Sequence, residues 1–403
     1  MLQKENAVIV EAVRTPVGRY GGVLRDVRPD DLGANIIKAL VARTAIDPSM
    51  IDDVMWGCAN QAGEDNRNVG RMSALLAGLP HTVPANTINR LCGSSLDAII
   101  QGTRAIWSGD AEVTIAGGVE SMSRAPYSVP KNQSGSFGNV TAYDTALGWR
   151  YPNSQMEKLF PLESMGETAE NVAEKYKITR REQDEFALAS HHKAVTAQKS
   201  GKFNDEIVPV AIPTKPGKPQ ILVEHDEGPR ADTSLDKLST LSPVFRKNGT
   251  VTAGNSSSLN DGAAALLVMS ESKARDLSLK PLARVLSTGI AGVDPRFMGI
   301  GPVPATRKAL QKAGLTMNDI DLIELNEAFA AQSIAVIRDL KIPMEKLNVN
   351  GGAIALGHPL GCSGARIMTT LLHGMKRRGS HYGLATMCIG VGQGISVVVE
   401  QVR

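Results

Sequence analysis

Aromatic side chains are scarce, at 4% of the 403 residues, which gives little support for a basic stacking surface of the kind that holds nucleic acid. Charge of one sign is missing too: 44 basic against 41 acidic residues leave a net charge of only +3. No nucleic-acid partner is therefore expected, although a local basic patch for an anionic cofactor fits this balance. No apolar run approaches the roughly 18 residues of a membrane span. Near the amino terminus an acid stands at Glu5 and the apolar stretch is only Ala7-Val8-Ile9-Val10, too short for the apolar region of a secretion signal; it reads as a first strand. Cysteine is confined to Cys58, Cys92, Cys362 and Cys388, far apart and without a CxxC pair. Neither a disulfide framework nor a zinc site is signalled, so a reducing cytosol and no metal are expected.

What the chain has in quantity is glycine, 39 residues, alongside 42% hydrophobic and 21% charged content, the composition of a soluble globular protein with many tight turns. The length suits two or three domain-sized units. Ile51 to Gly57 reads as a helix exit into a strand. Leu96, Ile99, Ile100, Thr103, Ile106 and Trp107 recur at helical spacing in a helix expected from Ser95 to Trp107 and closed by Gly109, and Val113-Thr114-Ile115-Ala116 reads as a short buried strand. The fold class is α/β. From Arg124 to about Gln155 the sequence turns irregular, as long functional loops do. Thr179-Arg180-Arg181-Glu182 then forms a capping box that opens a helix ending near Gly201, and Pro-rich segments follow from Pro209 to Pro219. Buried character returns over Ala263 to Met269, and from about Pro281 the α/β pattern begins again. Aligning Ile51 to Gly57 with Ile320 to Asn326 sets the Cys92 helix against a helix from Gly361 to Leu372. Two copies of one α/β unit imply a duplicated fold with its site where the copies meet, at strand carboxyl ends.

Three glycine-rich turns carry candidate chemistry: Asn89 to Ser95 around Cys92, Gly357-His358-Pro359, and Met387 to Gly392 around Cys388. A thiol is already a strong nucleophile, and a nearby histidine activates it for attack on a carbonyl. Cys92, just before a helix, is expected near the positive end of a helix dipole, which lowers a thiol pKa. Gly93, Ser94 and Ser95 would let a ligand approach the backbone. His358 is the natural base for Cys92, while His81, His191, His192, His225, His373 and His381 read as surface or satisfied core residues. Cys388 ends an apolar strand, and the Gly390-Val391-Gly392-Gln393-Gly394 run after it superficially resembles a dinucleotide fingerprint. Only one short strand remains before Arg403, leaving no room for the helix that fingerprint needs, so backbone amides such as that of Gly390 are better candidates for an oxyanion hole. Asn326 at a strand end suits either the orientation of a water or carbonyl or the N-cap of a helix from Glu327 to Leu340. Cys58 and Cys362 read as packing residues.

These residues resemble the thiolase family over essentially the whole chain. The likeness rests on the Cys92 turn, Gly117-Gly118-Val119-Glu120-Ser121-Met122, Thr252-Ala253-Gly254-Asn255, Asn326-Glu327-Ala328-Phe329, Gly357-His358-Pro359 and Cys388-Ile389-Gly390. The resemblance implies a thiolase-like fold, two duplicated α/β halves in a layered αβαβα core: residues 1–121 with 257–277 as the first half, an inserted loop domain over 122–256, and 278–403 as the second half. It also implies a ping-pong reaction in which Cys92, activated by His358, attacks the 3-keto carbon of a 3-ketoacyl-CoA, Cys388 protonates the acetyl-CoA enolate, and CoA removes the shortened acyl group. One oxyanion would be held by His358 and a water on Asn326, the other by the N–H groups of Cys92 and Gly390. By the same likeness Arg230 lies near CoA phosphates, Ser257 near the pantetheine, and Met165, Met298 and Phe329 along the acyl side. Coenzyme A is the co-substrate, no prosthetic group is needed, and a homodimer or homotetramer is expected.

The resemblance points first to a degradative 3-ketoacyl-CoA thiolase of fatty-acid β-oxidation. Gly57 to Arg67 and Leu147-Gly148-Trp149-Arg150 look more like thiolases that cleave 3-oxoadipyl-CoA, whose dicarboxylate would need a cation such as Arg67, Arg71 or Arg150 beside the pocket. Ser164-Met165-Gly166 departs from the His-Met-Gly of the acetoacetyl-CoA-forming branch. A ketoacyl synthase would not place a second cysteine at Cys388, and a non-catalytic acyl-CoA-binding scaffold would leave Cys92, His358 and Cys388 unused.

Overall fold

The computed structural model describes residues 5–131, 139–212, 214 and 219–402; part of the irregular stretch after Arg124 and part of the Pro209 to Pro219 segment lie outside them. Nine strands form one hydrogen-bonded order: β1 (Ala7–Arg14), β2 (Asp53–Gly57), β3 (Ala85–Ile88), β4 (Val113–Ser121), β5 (Asn260–Ser270), β6 (Ala283–Gly292), β7 (Leu322–Leu325), β8 (Tyr382–Ile389) and β9 (Gln393–Gln401) run β7-β8-β9-β6-β1-β5-β4-β2-β3, with the short strand Gly18–Arg19 paired to β5. The series β7-β8-β9-β6 mirrors β2-β4-β5-β1. In each, the first pair is parallel and the next two are antiparallel. This is the repeat expected from the sequence. The halves join at β1 and β6 through only two residue pairs, Val8↔Arg284 and Ile9↔Ala283.

Strand alternation, reset in β1 by a bulge between Ile9 and Glu11, sorts side chains into layers. Ile9 and Ala12 of β1 join the central core, whereas Val8 and Val13 enter the outer core of the first half. The central core encloses α2 (Ser94–Ser108) and, from the second half, α7 (Ser363–Arg378), with inward residues from both halves of the sheet such as Leu266, Met387 and Val397. Outside the first half lies α1 (Pro29–Thr44), burying Leu32, Ile36 and Leu40. Outside the second lie α5 (Pro302–Ala313) and α6 (Ala330–Leu340), which share a core of Val303, Leu310, Val336 and Leu384. The result is helix, sheet, helix pair, sheet, helix. Each fully buried Leu, Ile or Val contributes roughly 1.5–3 kcal/mol of transfer free energy, so most apolar burial is shared between elements far apart in sequence.

Between β4 and β5 the chain makes the excursion expected from its composition. It contains α3 (Met165–Tyr176), whose N-cap Ser164 accepts from the Glu167 N–H, and α4 (Arg180–Lys199), whose Thr179 and Glu182 form the anticipated capping box. Strand β8 is one residue longer at its carboxyl end than the sequence suggests, so Cys388 lies within it rather than at its end. Among the described residues no helix is long and apolar enough to cross a membrane.

Candidate active site

The two central helices begin at the same place. A Cβ on Gly364 of α7 would lie 2.3 Å from the Leu96 backbone nitrogen of α2, so only glycine lets the helix starts touch. The Ala365 N–H donates to Ser95 Oγ at 2.9 Å across this junction. Cys92 precedes one helix and His358 the other, so the crossing of the halves brings the thiol turn and the imidazole turn together.

The thiol turn is held by its own polar groups. Asn89 Oδ1 accepts from the Leu91 N–H and its Nδ2 donates to the Ala59 carbonyl, while Ser94 Oγ accepts from the Arg90 N–H and donates to the Leu91 carbonyl. Leu91 has φ 47°, an unfavourable left-handed conformation for a bulky residue, directly before Cys92. The small residues here serve packing rather than ligand access: a Cβ on Gly93 would meet Ile389 Cδ1 at 2.6 Å, and Ser94 and Ser95 are committed to the bonds above. The expected lowering of the Cys92 pKa by the helix end is overturned. Burial pushes it up to about 11, against the opposing N–H groups of Gly390 and of Cys92 itself, because desolvation of a thiolate outweighs two amide dipoles here.

The Gly390 N–H that faces the Cys92 sulfur belongs to the turn after β8. Cys388 is 1% exposed, and burial followed by the neighbouring Cys92 drives its thiol well above the usual range. The two sulfurs are therefore neighbours, reached from opposite halves. Val391 in the same turn has φ 63°, so strained backbone flanks both cysteine turns.

His358 follows Gly357, whose φ of 105° and lack of a Cβ let the turn press against Asn260. Asn260 Oδ1 accepts from the His358 N–H at 2.9 Å. Ser363 Oγ donates to the Pro359 carbonyl at 2.8 Å and lies 2.6 Å from His358 Nδ1. Its single hydrogen is committed, so Nδ1 carries the proton that joins them and Nε2 keeps its lone pair. Burial first and the Arg366 cation second hold His358 down to about 3, an uncharged imidazole at neutral pH. Asn326 Nδ2 stands 3.3 Å from Nε2. The asparagine follows β7, with its N–H donating to the Thr386 carbonyl of β8 at 3.0 Å. It is not an N-cap: α6 starts at Ala330 after Phe329, three residues later than expected. Its Oδ1 is buried without a hydrogen-bond partner among the described residues.

Met298, Phe329 and Cys388 share one small apolar cluster, against which Met165 and Phe245 pack. A Cβ on Gly390 would find Met165 Sδ at 3.3 Å. The expected acyl-side residues thus surround the second thiol. Ser257, half-buried, donates its N–H to the Ala328 carbonyl beside Phe329. Arg230 lies apart from this group: it is exposed, and its N–H donates to Nδ1 of the buried His191 at 3.2 Å. Two contributors are given no role by the sequence, although Glu120 stands in the Gly117 to Met122 motif. Ser363 orients the imidazole, and Glu120, fully buried, accepts N–H groups of Ala59, Asn60 and Gly361, tying β4 to the loop after β2 and to the turn before α7. A serine five positions after His358, at a helix start, was the available signal for the first.

Cys58, Asp65 and Glu120 bring three donor atoms within 4.8 Å of one another. Cys58 donates to the Asn60 carbonyl, Asp65 accepts from the Gly63 N–H and Glu120 is taken by three amides, so the cluster is an internally bonded junction. Cys58 and Cys362 are buried packing residues, as expected.

Two thiols, an uncharged imidazole and inward amides form a site suited to acyl transfer through a thioester. The model of the thiolase N-terminal domain matches residues 7–272 and that of the thiolase C-terminal domain residues 279–401. The chain is 52% identical over 402 residues to a beta-ketoadipyl-CoA thiolase of Acinetobacter baylyi, covering 99% of this chain and 100% of that protein. It is 53% identical to the 3-oxoadipyl-CoA/3-oxo-5,6-dehydrosuberyl-CoA thiolase of Escherichia coli K12, covering 98% and 99%. The crystal structure of human mitochondrial 3-ketoacyl-CoA thiolase superposes with TM-score 0.92 at 42% identity, covering 99% of each chain. The chain belongs to the thiolase family of acyltransferases, which take coenzyme A as co-substrate and need no prosthetic group.

Proposed function

We propose that this thiolase cleaves 3-oxoadipyl-CoA, or a 3-ketoacyl-CoA of the same dicarboxylate class, in aromatic degradation. The fatty-acid β-oxidation reading favoured by the sequence gives way to its alternative. The observation that carries this is the end-to-end identity of 52–53% to relatives named for those substrates. Of the three cations considered for the distal carboxylate, Arg71 is committed to the carbonyls of His81 and Val83, and Arg67 is exposed. Arg150 is half-buried and donates to the Thr145 carbonyl, which also accepts from Asn60, and the adjacent Trp149 bonds the Glu163 carbonyl two residues before Met165. That location, between the loop after β2 and the acyl-side helix, favours Arg150.

In the proposed reaction His358 Nε2 takes the Cys92 proton and the sulfur attacks the 3-keto carbon. The bond between C2 and C3 breaks, its electron pair leaves as the acetyl-CoA enolate, and the Cys388 thiol protonates that carbon. The Cys388 thiolate left behind takes the proton of the CoA thiol, the CoA sulfur attacks the acyl-Cys92 thioester, and the proton held on His358 returns to the departing Cys92 sulfur, so both thiols are restored. Amides of Cys92 and Gly390 suit the thioester oxyanion, and His358 with Asn326 the other. Arg230, Ser257, Met165, Met298 and Phe329 keep the binding roles assigned above. A cytosolic location and a homo-oligomer complete the reading; exposed Met72, Leu75 and Leu76 near edge strand β3 support a second copy there.

The test compares kcat/KM for acetoacetyl-CoA, 3-ketohexadecanoyl-CoA and 3-oxoadipyl-CoA. The dicarboxylate is expected to lead by at least about tenfold, and Arg150→Ala to cost it roughly 1.5–3 kcal/mol, the worth of a charged hydrogen bond, with little effect on acetoacetyl-CoA. Preference for the long chain would return the enzyme to β-oxidation.

A further inference from the structure

Behind His358 lies a buried glutamate–arginine pair that the proposed chemistry does not use. Glu324 is on β7, two residues before Asn326, and Arg366 is on α7, three residues after Ser363. Just past the end of β7 Asn326 meets His358, whose ring Ser363 holds from the start of α7, and one step back along strand and helix Glu324 meets Arg366, the periodicities directing both pairs to one side. Both side chains are 1% exposed and their nearest atoms, Nη1 and Oε2, are 3.7 Å apart.

This arrangement is costly. Nε, Nη1 and Nη2 of Arg366 and Oε2 of Glu324 have no hydrogen-bond partner among the described residues, and a buried pair of this kind is often no more stable than apolar residues of similar volume. Burial outweighs the Arg366 cation and raises the Glu324 carboxyl to about 8, so at neutral pH it largely keeps its proton; Glu206, Glu327 and Lys193 are the other charged groups acting on it, and Cys362 and His358 are further titratable groups on which Arg366 acts. Packing alone would be served as well by leucine and methionine. The pair also joins the two elements whose ends hold Asn326 and His358.

We propose that the buried Glu324–Arg366 pair is a positioning device of the thiolase site: it fixes the end of β7 against the opening turns of α7 and so sets Asn326 and His358 relative to each other. It rests on the catalytic assignment of His358 and Asn326 above, not on the identity of the acyl chain. Neither Glu324 nor Arg366 touches substrate in this proposal; both act through the imidazole and the amide. Misplacement of catalytic groups by about 1 Å costs on the order of a hundredfold in rate.

The test is the double variant Glu324→Leu/Arg366→Met, measured for thiolysis of acetoacetyl-CoA beside His358→Ala. If the pair positions the site, the double variant folds with a thermal midpoint at or above that of the wild type, kcat falls about ten- to a hundredfold, and KM changes less than about threefold. A merely structural pair gives the opposite split, a changed midpoint with kcat intact. Should the double variant not fold, the conservative variants Glu324→Gln and Arg366→Lys, which keep the volume of the pair and leave no side chain missing, carry the same reading. A folded variant of any of these kinds with wild-type kcat, beside an inactive His358→Ala, overturns the positioning proposal alone. Full activity of His358→Ala overturns the assignment beneath it.

Discussion

Leu91 and Val391 stand at φ 47° and 63°, a conformation that costs an L-residue roughly 1–2 kcal/mol, and each flanks an atom of the candidate chemistry. The strain is met by the bonds of Asn89 and Ser94 on one side and by the β8–β9 hairpin on the other. It aims the Cys92 sulfur at the Gly390 amide. With Cys92 raised to about 11 and His358 lowered to about 3, the free enzyme at neutral pH holds a thiol and an uncharged imidazole rather than an ion pair. Activation then belongs to the substrate complex. In the proposed mechanism the two thiols divide the work, so Cys92→Ala is expected to abolish acyl-enzyme formation, detected as an intact-mass increment after exposure to an acyl-CoA. Cys388→Ala should keep that increment while thiolysis falls about 10²–10⁴-fold, the usual worth of a general acid. Full thiolysis by Cys388→Ala would refute the two-thiol mechanism. The three turns bearing Cys92, His358 and Cys388 could be found in sequence because a reactive side chain amid glycines is a local pattern. Ser363 left only the trace of a serine at a helix start and Arg366 left none, since their placement depends on which atoms a helix sets behind the imidazole.

The elements are joined by buried polar groups at their ends more than by their lengths. Glu120 near the end of β4 receives N–H groups from the loop after β2 and from the turn before α7. In Glu120→Gln one of these amides would face an NH₂ instead of an oxygen, at a cost of about 1–3 kcal/mol, measurable by urea unfolding. The pH dependence has a definite sign. Burial raises the Glu120 pKa from 4.5 to about 7, so the folded state binds this proton more tightly than the unfolded chain. The stability it contributes is fully present below about 4.5 and is lost as pH rises through about 7. The deficit of Glu120→Gln should therefore be larger at about pH 5 than at about pH 8; a deficit independent of pH would contradict that titration. At this scale the α4 capping box and the closure of α2 by Gly109 were legible because caps are local. The start of α6 was not: Asn326 has cap chemistry, yet its amide turns to His358 and the helix waits until Ala330.

At the scale of the molecule the central core decides the behaviour. Leu96 and Ile99 of the first half and Ile367, Met368 and Val397 of the second belong to one buried cluster. Unfolding is therefore expected to be a single transition, with coincident midpoints by far-UV circular dichroism and by the fluorescence of the three tryptophans, of which Trp56 is buried in the first half. Two separated midpoints would show halves that stand alone. The duplication, the α/β class and the location of the site between the copies follow from the sequence by itself, because hydrophobic periodicity and glycine-bounded turns are encoded residue by residue. The meeting of the two helix starts, the elevated Cys92 thiol and the Glu324–Arg366 brace were decided only by tertiary structure. Each depends on close packing and desolvation between segments apart in sequence, the first two from opposite halves and the third within the second half, and no local pattern records the distance across which such segments will touch.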